Sequence, residues 1–264
     1  HKIYHHHAHA GAAYFETSLS REDHDRQLIF AWDGVGCGAD GNFWGGDALL
    51  GTPGNWRRVA HMRPFHLPGA DKASREPWRS GTALCWELGL PYDSVTDDPL
   101  LHKFWNTRRN TYQTTSVGRL FDGAAARCGI AKYTSYEGQA AMQLEAEAAD
   151  WGSLPPAEPT QLPLSNKGQM IIVDWSPIVP LMRNEALSVQ ERAINFHLSL
   201  AQSMVEQAIA ARDLYGGFSV GFSGGVFQNR VLLEMASQCF EAESFNISIP
   251  KRLPMNDAVI SLGQ

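Results

Sequence analysis

"RQLIFAWDGVGCGADGNFWGGD", residues 26–47, is the stretch on which the reading of the whole chain turns. Leu28 to Trp32 is an unbroken apolar run that meets an acid, Asp33, with glycines behind it at 34, 36 and 38. An apolar run of that length ended by turn residues predicts a buried strand. The glycine-rich segment after the strand has two readings. Glycines behind an acid at a strand end let backbone N–H groups approach a phosphate; an Asp-Gly pair is equally the strongest short signal for a tight hairpin. A second stretch, "FSVGFSGGVFQNRVLLEMASQCF" at 218–240, has a related plan: a short strand, a Ser-Gly-Gly turn, and a helix from about Asn229.

Between and around these two stretches, strands and helices alternate. Residues 45–77, rich in Gly, Pro, Arg and Trp, read as strands and ordered loops, and a helix begins after Pro77. "SVGRLFDGAAARCGI" carries apolar residues at helical spacing, with Ser116 as cap and Gly129 as stop. "SYEGQAAMQLEAEAAD" gives a further helix with Ala140, Ala141, Leu144 and Ala148 inward. Prolines at 155, 156, 159 and 163 mark a loop before the strand "QMIIVDW". A long amphipathic helix runs through "SVQERAINFHLSLAQSMVEQAIAARDLYG", and "FNISIP" is a last strand before the turn "PMND". The alternation predicts an α/β or α+β class.

The chain opens on "HKIYHHHAHAGAAYF". A purification tag is an uninterrupted polar run with a linker, and this one is interrupted by alanine and runs directly into helix formers. In a helix, His5 and His9, four apart, aim two imidazoles at one point. A metal there needs hard oxygen donors from elsewhere in the chain. His6 and His7 cannot share that face; they read either as neighbours of the ligands or as part of a solvated face.

The 264 residues, with 44% hydrophobic and 19% charged, suit a soluble globular domain or two small lobes around a substantial core. No window reaches the ~18 apolar residues of a membrane span. With a net charge of -6 and only Lys103, Arg108 and Arg109 clustered, the sequence offers no basic footprint for nucleic acid. Cys37, Cys85, Cys128 and Cys239 are scattered without a CxxC pair, which argues against a zinc ribbon and a disulfide framework and for reduced thiols in the cytoplasm. The absence of a starting methionine leads to the expectation that the chain is part of a larger polypeptide.

Taken in order, "HHHAHA", "DGVGCGADGNFWGGD", "REPWR", "GRLFDGAAARCG", "SYEGQAAMQLE", "FSGGVFQNRVLL" and "MNDAVISLGQ" resemble the carboxy-terminal carbamoyl-transfer domain of the HypF family, which serves nickel-iron hydrogenase maturation. The resemblance runs from the first residues to the last. It implies an actin-like ATPase fold of two lobes, about 1–120 and 121–264, with mixed sheets flanked by helices and an incomplete first lobe. It further implies a divalent metal, iron or zinc, held by His5, His9, Asp33 and Asp257, and ATP or carbamoyl-adenylate as the nucleotide. Mixed imidazole and carboxylate donors suit either ion.

For the nucleotide, Gly34 and Gly36 lie in the phosphate turn. Ser223, Gly224 and Gly225 leave room for backbone to approach adenosine, with the positive helix end at Asn229; an ordinary strand-helix turn is the plainer reading. The resemblance places Asp122 and Glu137 at ribose and phosphate, and Gly118 and Gly138 under the nucleotide. The tryptophans at 44, 56, 78 and 86 receive no role, and Cys37 reads as inert. The implied reaction moves the carbamoyl group of carbamoyl-adenylate to a carboxy-terminal cysteine thiol of the partner HypE. Two alternatives stand beside it: a nucleotide- and metal-binding interaction domain without activity of its own, and a small-molecule O-carbamoyltransferase. Ala258 and Val259 depart from the family pattern by standing after Asp257 where glycines are usual, and Ala70 stands where another glycine is expected.

Overall fold

The computed structural model describes residues 3–18, 26–91, 99–153 and 158–264, apart from the side chain of Ala70. In chain order the elements are α1 (His5–Ser18), β1 (Gln27–Cys37), β2 (Phe43–Thr52), β3 (Asn55–Met62), β4 (Phe65–Pro68), α2 (Trp78–Glu87), α3 (Pro99–Asn106), β5 (Thr111–Thr114) and α4 (Val117–Arg127). They continue as α5 (Gln139–Glu147), β6 (Leu164–Lys167), β7 (Met170–Val173), α6 (Ile178–Arg183), α7 (Val189–Tyr215), β8 (Ser219–Ser223), α8 (Arg230–Ala242), β9 (Ile247–Ser248) and α9 (Ile260–Gly263).

The nine strands of the described residues form one mixed sheet in the order β6-β7-β3-β2-β1-β8-β9, with β5 joining at β2 and pairing β4. This is an α/β fold, and β1 pairs β8 in parallel, Ala31 opposite Ser223, so strands from both halves of the chain share one sheet.

Strand β1 is the axis of the fold. Its apolar run alternates faces, as the two-residue period of a strand requires. Leu28, Phe30 and Trp32 enter the large core with Phe222, Phe227 and Phe240. Ile29 and Ala31 turn to the other face and pack with Ala10 and Ala13 of α1, and with Trp44 and Leu49. The helix that covers that face is built of alanines, with Ala8, Ala10, Ala12 and Ala13 buried, so it lies close to the sheet.

The strand does not stop at Asp33. It continues to Cys37 through a register shift between Trp32 and Gly36, and the hairpin turn falls at 38–42, where the Gly38 N–H donates to the Asn42 carbonyl at 2.9 Å. The Asp-Gly turn is the pair Asp40-Gly41, with Gly41 at φ 78°. Asp33-Gly34 instead sits in a bulge, a device that re-aims a side chain out of the ladder.

The helices follow their caps. The Ser116 hydroxyl accepts the Arg119 N–H at the start of α4, and α7 opens with a reciprocal capping box between Ser188 and Glu191. Ala140, Leu144 and Ala148 are fully buried, as their spacing predicts. "QMIIVDW" forms the second strand of a hairpin, β6 with β7; prolines 155 and 156 lie outside the described residues. No helix of the described residues is long and apolar enough to cross a membrane.

Candidate metal centre and nucleotide cleft

α1 is helical from His5, so His5 and His9 project one turn apart toward the bulge of β1. The His5 Nε2 atom lies 3.0 Å from an Asp33 oxygen and 3.4 Å from an Asp257 oxygen. For His9 Nε2 the same oxygens are at 3.3 and 3.2 Å. One donor atom from each of the four residues falls within 4.8 Å of every other. With metal–ligand bonds near 2.0–2.1 Å, neighbouring donors around a tetrahedral ion stand about 3.4 Å apart. The four nitrogen–oxygen separations are at or just inside that edge.

The chemistry of the donors fits an ion better than hydrogen bonds. Each Nε2 has one position for a proton, yet each faces two carboxylate oxygens. A cation at the centre serves all four groups at once. The second nitrogen of His9 lies 3.2 Å from the Ser223 hydroxyl, an arrangement that fixes the ring with Nε2 toward the aspartates.

Electrostatics agree with charge concentrated here. The hydrogen bond to Asp33 raises the His5 imidazole above its ordinary value, although burial opposes this. Burial disfavours the charge of Asp33, but hydrogen bonds from His5 and His9 outweigh it and hold its carboxyl well below the usual range.

His6 is not on a solvated face. It is 0% exposed, burial pushes its ring down to about 4, and neither ring nitrogen has a hydrogen-bond partner among the described residues. Its ring lies against Gly36, where a Cβ would stand 2.3 Å from His6 Cε1 and 2.6 Å from His5 Cδ2. Gly36 thus makes room for imidazoles. Trp44 joins this wall, 6.1 Å from the His6 ring and capped by Arg58 at 4.1 Å. His7 is half-buried.

Beside the four donors opens a cleft of about 530 Å³, lined by Asp33 and Asp257 together with Gly34, Gly118, Asp122, Glu137 and Gly225. It runs on into a cavity of about 270 Å³ walled by Phe121, Glu137, Gly138, Met142 and Asn229. A third space, about 970 Å³, meets the first at Gly34, Arg119 and Glu137 and reaches Lys72, Arg75 and Tyr112. Glu137 therefore touches all three, and most of the expected nucleotide residues are brought together.

Three are placed elsewhere. Gly36 faces the histidines, Ser223 faces His9, and Gly224, at φ 100°, lies where a Cβ would meet the Trp32 carbonyl oxygen at 2.1 Å. None of these lines the three cavities. Gly224 lets β8 turn away against β1; Gly225 is the one that opens the cleft.

Arg119 lines the cleft, and the sequence pattern did not single it out. It is 6% exposed, pairs with Asp122 at 2.8 Å, and lies along both the 530 and 970 Å³ spaces. Burial pushes Asp122 up to about 6, against the pull of that guanidinium. The available signal was an Arg and an Asp three apart among the apolar residues and glycines of 117–126.

An α/β protein with a two-histidine, two-aspartate cluster at the mouth of a glycine-walled cleft is the class these features define. A family model described as "Carbamoyltransferase, Kae1-like Domain, second subdomain" matches residues 29–264. The chain belongs to this HypF carbamoyltransferase family. It is 32% identical over 287 residues to the carbamoyltransferase HypF of Synechocystis sp., covering 99% of this chain and 36% of that protein. A carbamoyltransferase HypF homolog of Cupriavidus necator is 31% identical over 283 residues, 99% of this chain and 69% of its own. Among solved structures, full-length HypF in a phosphate- and nucleotide-bound form superposes with a TM-score of 0.87 at 26% identity, covering 99% of this chain and 34% of that one. HypF of T. kodakarensis gives 0.84, also at 26% identity, covering 99% of this chain and 35% of that one. The chain thus spans about a third of the length of several relatives it matches.

Proposed function

We propose that this chain binds a divalent ion, iron or zinc, through His5, His9, Asp33 and Asp257, and moves the carbamoyl group of carbamoyl-adenylate to the carboxy-terminal cysteine thiol of a HypE-type partner. The observation that carries the reading is that two of the four converging donors, Asp33 and Asp257, also line the cleft. An ion bound there supplies a Lewis acid beside the carbamoyl carbonyl and the phosphate.

The chain's own residues do the rest. Gly34, Gly118 and Gly225 keep the wall of the cleft free of side chains. Glu137 and Asp122 face the space where a ribose would lie, and Asn229 and Phe121 close the smaller cavity where a base would fit. Held so, the nucleotide presents its carbonyl to the junction at Gly34 and Arg119. The 970 Å³ space leaves the opposite approach to the acceptor. A carbon–sulfur bond forms there, the carbon–oxygen bond to phosphate breaks, and AMP leaves. The thiol proton passes to solvent. An actin-like placement of the fold with a division near residue 120, further domains in the same polypeptide and a cytoplasmic setting belong to the same reading.

A second reading, a nucleotide- and metal-binding domain without activity of its own, is favoured by the share of its relatives that the chain spans. One experiment separates the two: carbamoyl-adenylate made separately is given to the chain with a thiol-ended acceptor peptide. Thiocarbamate on the peptide, read by mass spectrometry, supports transfer; binding of the nucleotide without modification supports the second reading.

A further inference from the structure

α7 carries a buried histidine that the cleft described above does not use. His197 is 0% exposed, and its Nδ1 lies 2.8 Å from the Ala193 carbonyl oxygen one turn back. Its Nε2 lies 2.9 Å from Nδ2 of Asn229, which is the cap of α8 and a wall of the 270 Å³ cavity.

The protons in this chain of contacts can be assigned from the cap. Asn229 Oδ1 accepts the Leu232 N–H at 2.8 Å, which leaves the amide nitrogen facing the imidazole. An amide nitrogen only donates. His197 Nε2 is therefore the acceptor, the ring proton sits on Nδ1, and that N–H donates to the Ala193 carbonyl. With that tautomer both ring nitrogens and the Asn229 oxygen have partners. Burial favours the same neutral state by pushing the ring down to about 4. Phe121, a second wall of the cavity, packs edge-on against the ring at 5.2 Å.

We propose that His197 is a positioning residue of the nucleotide site: its Nε2 fixes the Asn229 side chain, and with it the first turn of α8 at the cavity wall. The inference rests on the nucleotide reading of the cleft. Without the imidazole acceptor, one buried amide hydrogen of Asn229 has no partner, and the side chain gains by turning away from its cap.

The test compares ATP affinity by calorimetry in the parent chain, His197→Phe, His197→Gln and Leu200→Val, with thermal midpoints alongside. Leu200 is a fully buried residue of the same helix outside the cavity lining, so Leu200→Val reports destabilisation alone. His197→Phe keeps volume but leaves a buried donor unpaired, and ATP binding is expected to weaken about tenfold. His197→Gln, which restores an acceptor, recovers most of it, while Leu200→Val lowers the midpoint and leaves affinity unchanged. Nitrogen NMR of the parent, which needs no variant to fold, should show the proton on Nδ1. A His197→Phe chain that binds ATP as Leu200→Val does, or a proton on Nε2, overturns the inference alone. A parent chain that binds no ATP overturns the nucleotide reading and this inference with it.

Discussion

Asp257 holds its place in the cluster from the most exposed position of the donors, its side chain 69% accessible, while His9 is fully buried. That difference decides which substitutions test the centre cleanly. His9→Ala also empties part of the packing beneath α1, so loss of metal there is mixed with loss of stability. Asp257→Ala removes a donor with little packing. An ion that binds only the folded state stabilises it by ~2.7 kcal/mol at a hundredfold excess over its dissociation constant. Asp257→Ala is expected to lose most of the upward midpoint shift that zinc or iron(II) produces. Asn256→Ala gives up a cap to the Ala258 N–H, about 1 kcal/mol, and keeps the shift. Gly225→Val belongs at this scale too: its Cβ would stand 3.2 Å from an Asp33 oxygen, inside the cleft, so nucleotide affinity falls while the fold persists. At Gly224 the same change collides with the Trp32 backbone and is expected to lower the midpoint itself. His197 gives the chain a pH dependence. Its folded value is about 4 against 6.5 for the free ring, so below 6.5 the unfolded chain binds the extra proton. Stability therefore falls as pH drops from 6.5 toward 4, by about 3 kcal/mol for this group at the limit. His6 adds to the fall in the same direction. His197→Gln should flatten the curve of midpoint against pH in that window.

At the scale of elements, α1 is the part that joins the two ends of the chain. Its first turns carry His5 and His9, and its last turn carries Glu16, whose carboxylate accepts the N–H groups of Lys251, Arg252 and Leu253 at 2.5, 2.7 and 2.9 Å. Those donors hold the Glu16 carboxyl below its usual range despite some burial. Between them, Gly11 and Gly263 let α1 and α9 touch backbone to backbone: a Cβ on Gly263 would stand 1.8 Å from the Ala8 carbonyl oxygen. The loop before Asp257 is thus clamped on one side and α9 on the other. Gly263→Ala is expected to lift α9 from α1 and bring metal affinity down to that of Asp257→Ala, measured by zinc titration. Glu16→Gln weakens charge-assisted bonds to neutral ones, so it gives a smaller loss in the same direction. A Gly263→Ala chain with parental zinc affinity would mean that Asp257 reaches the site without this packing.

On the scale of the whole molecule, the site lies where ligand crevices of open α/β sheets fall, outside the carboxyl ends of adjacent parallel strands. The parallel pairing of β1 with β8 ends at Ala31 opposite Ser223, and the Asp33 bulge of β1 lies beside the Gly224-Gly225 turn that follows β8. Much of this was legible in the sequence. The spacing of His5 and His9, the Ser116 cap and the period of α4 and α7 are local signals, and they survive folding. The features that the sequence did not show depend on partners far along the chain. β1 passes through Asp33 because Gly36 and Gly38 accept the His6 ring and the Trp44 indole, and those contacts come from α1 and β2. His6 is buried by the same wall, which a rule about helix neighbours could not foresee. Arg119 is hidden because an ion pair on a helix reads as surface until tertiary packing covers it. A pairing of strands almost two hundred positions apart, Ala31 with Ser223, is likewise beyond any local signal. The central claim is that residues 5, 9, 33 and 257 hold one ion. The direct measurement is metal content by plasma emission, after dialysis against zinc or iron(II), of the parent chain and of a His5→Ala, Asp257→Ala double variant shown to be folded. The account predicts one ion per parent chain and none retained by the variant; an equal, stoichiometric content in both would contradict it.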